Sequence, residues 1–262
     1  MQNFNFHSHT KRCGHAVGED EEYVIEAIKN GYKKIGFSDH APYKNGYSPT
    51  ERMHEDELAG YITSVKNLQD KYKDQIDIYI GLEFEYCLKQ VEELREYRKM
   101  FDYMIVGQHC ADIFEPDFYD CHSDEDVQLY ADLLVKACDE ELADIIVHPD
   151  LFMYGKEEWN DACIQATHKI CAAAQRHNIP IEINLNGLKY GKKQLGNEVR
   201  YPYPYRAFWE IAQTYPVKTV YGLDAHTPSK YGDRECFRIV NEEILQGITL
   251  DFLEDISFPH KL

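Results

Sequence analysis

Three histidines, His7, His9 and His15, fall within the opening segment MQNFNFHSHTKRCGHA. A folding core rarely needs imidazoles at that density, whereas a metal site often does. His7 and His9 are separated by one serine. Residues i and i+2 of an extended strand face the same side, so both rings can reach one ion. More candidate ligands close other short apolar stretches. His40 follows Asp39 at the end of KKIGFSDH (33–40), Glu83 ends IDIYIGLE (76–83) and His109 ends FDYMIVGQH (101–109). His148 lies in ADIIVHP (143–149), and Asp224 and His226 close KTVYGLDAH (218–226), again at i and i+2. These nine groups are too many for one tetrahedral ion. They suggest two or three ions, with Glu83 or Asp224 as a bridge. Histidine with carboxylate suits zinc, iron or manganese better than calcium or magnesium.

The stretches that carry these residues, together with NFNFH (3–7) and IPIEINLN (179–186), are rich in Ile, Val, Tyr and Phe and have strand character. Longer segments with helical spacing separate them: 19–31, 54–72, 90–100, 123–142, 160–178, 203–215 and 233–245. Alternation of this kind predicts a parallel, TIM-like α/β barrel, and seven units where eight are usual make it an incomplete or distorted (β/α)7 barrel. The 262 residues fit a single domain spanning 1–262. Catalytic groups of such barrels sit at the C-terminal ends of the strands. Six of the seven strand ends supply a nitrogen or a carboxylate there, and only the sixth offers the weaker Asn184 and Asn186. His54, His168 and His177 fall on predicted helices and are expected to be solvated or capping groups.

Composition narrows the partners. A formal net charge of −18 argues against a nucleic-acid partner, whose phosphates need a basic patch. No stretch is apolar for long enough to span a membrane. The eight cysteines form no CxxC pair and no secretory signal pattern precedes them, so reduced thiols in the cytoplasm are expected. Most are expected to be small buried apolar groups, and Cys13 falls inside the histidine cluster.

The motifs HSH (7–9), CGH (13–15), SDH (38–40), GLEFEY (81–86), GQH (107–109), VHPD (147–150) and GLDAH (222–226) resemble those of the PHP (polymerase and histidinol phosphatase) superfamily. The likeness covers nearly the whole chain and fills all nine metal positions. It implies a trinuclear centre of divalent ions. His7, His9, Glu83 and Asp224 would hold one ion; Glu83, His109 and His148 a second; His15, His40 and His226 the third. The HTKRCGHA opening, FSDHAPY with the insert after it, and GLEFEY look most like the stand-alone histidinol-phosphate phosphatases of the superfamily.

That likeness implies a metal-dependent phosphomonoesterase that cleaves L-histidinol phosphate by attack of a metal-bridging hydroxide on phosphorus. Glu83, Asp224 and His226 would be its catalytic residues. Lys11, Arg12, Asn186, Lys189 and Arg200 are the candidates for binding substrate. Two of them lie in the first βα loop, and three in the long basic loop after strand six. Rival readings are a phosphoesterase of the same superfamily acting on nucleotides and a non-catalytic metal-binding module.

Overall fold

The strands that carry the candidate ligands form one parallel sheet in the computed structural model, which describes residues 2–44, 50–112 and 117–261. The insert after FSDHAPY lies partly outside the described residues. The sheet runs β1 (Phe4–Asn5), β2 (Lys34–Phe37), β3 (Asp77–Phe84), β4 (Tyr103–Val106), β5 (Ile145–Ile146), β6 (Ile181–Asn184), β9 (Lys218–Gly222) and β10 (Asp251–Phe252). A separate antiparallel hairpin, β7 (Lys193–Leu195) and β8 (Glu198–Arg200), occupies the long loop after β6.

Seven of these strands make the barrel. Beyond β1 and β9 the chain pairs again through a parallel bridge between Ser8 and Ala225. His9 N–H donates to Ala225 O (2.9 Å) and Ala225 N–H donates to His7 O (3.1 Å), which closes the ring at the C-terminal rim. The short β10 pairs with Lys218 and Thr219 at the other end of β9, outside that closure. It is an eighth strand that the seven-unit reading did not contain, because two residues leave no apolar period to see. The helices α1 (Asp20–Lys29), α2 (Leu58–Tyr72), α3 (Val91–Met100), α4 (Asp124–Asp139), α5 (Asp161–His177), α6 (Arg206–Ala212) and α7 (Glu235–Ile239) match the seven expected segments. Their ends are specified locally. Ser123 and Asp126 form a capping box on α4, Asn160 accepts from Ala162 and Cys163 at the start of α5, and Asn178 ends α5 in the left-handed region.

Alternation along the strands explains why the ligands converge. Phe6, Tyr79, Tyr103, Ile105, Ile145, Val147 and Val220 form a packed cluster inside the barrel. From Tyr79 the same face of β3 continues to Gly81, Glu83 and Glu85; from Tyr103, β4 continues to Gly107 and His109; from Val220, β9 continues to Gly222, Asp224 and His226. Polar groups therefore stand directly above an apolar floor. Phe258 of the C-terminal segment stacks on Tyr103 (5.1 Å between centroids) beneath it.

Candidate metal centre

His7, His9, His40, Glu83, His148 and Asp224 are buried, and His15, His109 and His226 reach the same place from the rim. Glu83 is at the middle. Its Oε1 lies 2.8 Å from His148 Nε2 and 3.5 Å from His109 Nε2. Its Oε2 lies 3.2 Å from Nε2 of both His7 and His9, and 3.3 Å from His40 Nδ1. Asp224 Oδ1 is 3.3 Å from His9 Nε2 and 3.2 Å from His226 Nδ1. His226 Nε2 faces His15 Nε2 at 2.9 Å, and His40 completes that group. All nine expected ligands meet.

Two of them leave the usual backbone regions. His148 has φ 32° and Asp224 φ 45°, both in the left-handed region that L residues adopt at a cost. His148 would otherwise point away from the face shared by Ile145 and Val147. The turn at this residue brings its ring over Glu83.

The donor set fits divalent metal. His7 Nε2, both nitrogens of His9, His40 Nδ1, Glu83 Oε2, His148 Nδ1 and Asp224 Oδ1 are buried without a hydrogen-bond partner among the described residues. Orphaned buried polar atoms are costly, and here His7 Nε2, His9 Nε2 and His40 Nδ1 converge on Glu83 Oε2, with Asp224 Oδ1 beside His9 Nε2. Electrostatics agree. Burial pushes the Glu83 carboxyl up, but His7, His40 and His109 outweigh it and hold the group well below the usual carboxylate range. Burial likewise opposes ionisation of Asp224, and His7 and His226 overcome it. Burial disfavours charge on His9, yet Asp224 and Glu83 raise it to about 9. His15, desolvated and beside His226 and His9, falls to about 4. Cys13 lies near His9 and His226, but burial and the Asp39 charge push its thiol up to about 12. A thiol so hard to ionise behaves as a buried apolar group.

A second layer of carboxylates holds the histidines. Glu182 Oε1 lies 2.8 Å from His7 Nδ1. Glu85 Oε1 lies 2.9 Å from His109 Nδ1, and its Oε2 accepts from Arg52 Nη1 at 3.1 Å. Burial works against the Glu85 charge, but Arg52 and His109 hold it at about 2. Fixing one ring nitrogen leaves the other free for metal. Glu85, Glu182 and Arg52 were absent from the sequence-derived set. For the two glutamates the signal existed: each stands two residues from a group already singled out, Glu83 or Asn184.

A cavity of about 300 Å³ opens over His15, His40, Glu83, His109, Asp224 and His226. Asn186 and Lys189, two of the substrate candidates, line it. Asn186 Nδ2 donates to Asp224 Oδ2 (3.0 Å), so it also orients a ligand. The other three substrate candidates lie away from it. Lys11 is exposed and paired with Glu19 at 2.6 Å. Arg12 forks onto Asp20 at 2.8 and 2.9 Å and packs over the Tyr61 ring. Arg200 donates to the carbonyls of Met153, Tyr201, Pro202 and Lys156 and covers Tyr205, lining a different groove. None of the three lines the cavity. The cations that do, among the described residues, are Arg52 and Lys189.

A seven-stranded parallel barrel with a crowded nitrogen-and-carboxylate rim defines an α/β protein with a candidate metal site. The PHP domain family model matches residues 5–186, and the chain belongs to that family. A Deinococcus radiodurans protein named "Probable histidinol-phosphatase" is 27% identical over 256 residues, covering 94% of this chain and 95% of its own. The Bacillus subtilis histidinol-phosphatase is 32% identical over 119 residues, 42% of this chain and 44% of that protein. Among solved structures, the histidinol phosphate phosphatase of Lactococcus lactis, complexed with zinc, L-histidinol and phosphate, superposes with a TM-score of 0.67. It shares 19% identity and covers 93% of this chain and 95% of that one.

Proposed function

We propose that this chain is a metal-dependent phosphomonoesterase that hydrolyses L-histidinol phosphate to L-histidinol and phosphate. The observation that carries the reading is the Glu83 carboxylate, buried with its two oxygens facing different histidines, His148 and His109 on one side and His7, His9 and His40 on the other. The relative that spans nearly the whole chain bears a histidinol-phosphatase name, and the Lactococcus structure holds zinc with L-histidinol and phosphate. We assign three divalent ions, zinc, manganese or iron, to the nine ligands in the division given by the family likeness.

Bound there, such ions activate a water and neutralise phosphoryl charge. The chain supplies the rest. Asn184 and Asn186 hold Asp224 Oδ2, leaving Oδ1 aimed at the histidines. Lys189 places its ammonium over the Tyr190 ring at the cavity wall, a cation that would offset phosphoryl charge on an ester bound in the cavity. Glu51 and Asp117, from two other loops, line the same cavity without an ion pair among the described residues. A mouth with acids favours an ester whose alcohol carries a cation, as L-histidinol does, over an anionic nucleotide. Among the described residues no helix is long and apolar enough to cross a membrane. Eight free cysteines support the cytoplasmic placement.

The test is a substrate panel on zinc- and manganese-loaded protein. L-histidinol phosphate should exceed nucleoside monophosphates and dinucleotides in kcat/KM by at least about 100-fold. Preference for a nucleotide would replace this reading, and hydrolysis of no phosphoester would leave a metal-binding module.

A further inference from the structure

We infer that Glu182 is the positioning residue of the metal centre, holding His7 by its ring, His148 by its backbone and Asp224 through Asn184. The inference rests on the proposed metal-dependent function and goes beyond it, because Glu182 is not one of the nine ligands. Its carboxylate is buried at the inner face of β6. Oε1 lies 2.8 Å from His7 Nδ1. Oε2 accepts the His148 N–H at 3.0 Å and the Asn184 side-chain amide, also at 3.0 Å. The same amide lies 3.2 Å from Asp224 Oδ2.

The contacts fall where the backbone needs them. His148 and Asp224 are the two ligands held at positive φ, and strain of that kind persists only where the surroundings over-determine it. Glu182 grips the first directly and the second through one amide. For His7, an acceptor at Nδ1 fixes the tautomer with Nε2 free, and His7 Nε2 is one of the orphaned atoms of the site.

A second strand is shaped around this carboxylate. A Cβ added at Gly222 would fall inside the Glu182 carboxyl group. The close approach, not the φ angle, is what excludes a side chain at Gly222. β6 and β9 are neighbours in register, Asn184 opposite Gly222, so the glycine opens the space into which Glu182 turns. A buried carboxylate that merely filled space would need neither a cleared neighbour nor acceptor contacts to two ligand residues.

The test compares Glu182→Gln, Glu182→Ala, Gly222→Ala and the double variant Glu182→Ala/Gly222→Ala with the unaltered full chain. Zinc affinity is read by competition with a chromogenic chelator, and folding by the melting temperature of the metal-free protein. Glu182→Ala and Gly222→Ala should each weaken zinc about 10- to 100-fold, the range typical when a partner of a ligating histidine is lost. Glu182→Gln keeps an acceptor and should fall between Ala and the unaltered chain. Gly222→Ala acts by displacing the carboxylate, so in the Glu182→Ala background it should weaken zinc no further. If Glu182→Ala does not fold, the Gln and Gly222→Ala variants carry the comparison. Zinc affinity within threefold of the unaltered chain in the folded variants, with only the melting temperature lowered, would overturn the inference. If the unaltered chain binds no zinc, it is the functional reading that fails.

Discussion

His15 Nε2 and His226 Nε2 face each other at 2.9 Å across the mouth of the barrel. Two unprotonated imidazoles at that distance suit chelation of one ion, and the depressed pKa of His15, about 4, keeps it unprotonated at neutral pH. His15 is also the ligand most open to solvent, whereas His7, His9 and Glu83 are closed off. The ion assigned to His15, His40 and His226 should therefore leave first. Titration with a chelator, followed by elemental analysis, should show one ion lost well before the others. His15→Ala should retain about two ions per chain. Full metal content in that variant would remove His15 from the ligand set.

Glu83 touches both halves of the site, so its loss should disturb two ions at once. Glu83→Gln keeps the shape but removes the charge that balances the surrounding imidazoles. Its activity should fall by at least about 1000-fold, with metal content reduced by more than one ion. His54→Gln is the control: His54 caps the turn Glu55–Glu57 and is partly exposed. Equal activity in the two variants would refute the central role of Glu83.

The two basic residues proposed for the loop after β6 should now separate. Lys189→Ala removes a cation from the cavity wall and should lower kcat/KM about 30- to 1000-fold with metal content unchanged, on the order of 2–4 kcal/mol in the transition state. Arg200→Ala removes donors from four backbone carbonyls and should lower thermal stability instead. Steady-state kinetics and melting curves on the same samples decide. A kinetic defect in Arg200→Ala without loss of stability would return Arg200 to the substrate.

Why Lys189 reaches the cavity while Arg12 and Arg200 do not has a physical reason. Ligand positions follow from strand ends, since a parallel barrel delivers them to one rim whatever the loops do. His109 and Asp224 were legible in that way. Arg12 and Arg200 are spent on Asp20 and on carbonyls that only the folded loops bring near, and no spacing announces such partners. Glu182 stands in IPIEINLN on a strand whose end offers only the weak ligands Asn184 and Asn186, so no strong ligand on its own strand marks it. Its own role depends on His7, 175 positions away. The closure of the barrel through Ser8 and Ala225 is equally non-local.

Asp150 gives a pH signature in the fold itself. Burial pushes its carboxyl up to about 7, against donors from Tyr205 N–H (2.6 Å) and Trp209 Nε1 (3.1 Å), and Oδ1 has no partner among the described residues. The unfolded chain would ionise this group near the ordinary value of 3.8. Between these limits the folded state binds more protons than the unfolded one, so stability falls as pH rises from about 4 to about 7. The change along this slope is on the order of 4 kcal/mol. Asp150→Asn should flatten it. Melting temperatures of metal-free protein across that range should shift in the variant's favour as pH rises, by several degrees at the upper end. Parallel curves would show that Asp150 is ionised throughout.

Glu51 and Asp117 should decide which alcohol the phosphate is carried on. Both line the cavity, from the β2–α2 and β4–α4 connections, while Lys189 stands in the β6–α6 connection. Asp117 Oδ1 accepts the Tyr119 N–H at 2.8 Å, which leaves its other oxygen for a ligand. An acid facing an ammonium in a partly desolvated cleft discriminates by electrostatics, whereas the metal centre treats all phosphate monoesters alike. Asp117→Asn and Glu51→Gln should therefore raise KM for L-histidinol phosphate about 5- to 50-fold and leave p-nitrophenyl phosphate, whose alcohol carries no cation, nearly unchanged. O-phosphoethanolamine against ethyl phosphate gives the same contrast without the imidazole. Removing both acids should also relax exclusion of nucleoside monophosphates, since the negative potential that repels them is lost. Equal losses on charged and uncharged alcohols would mean that the two acids shape the loops rather than read the substrate.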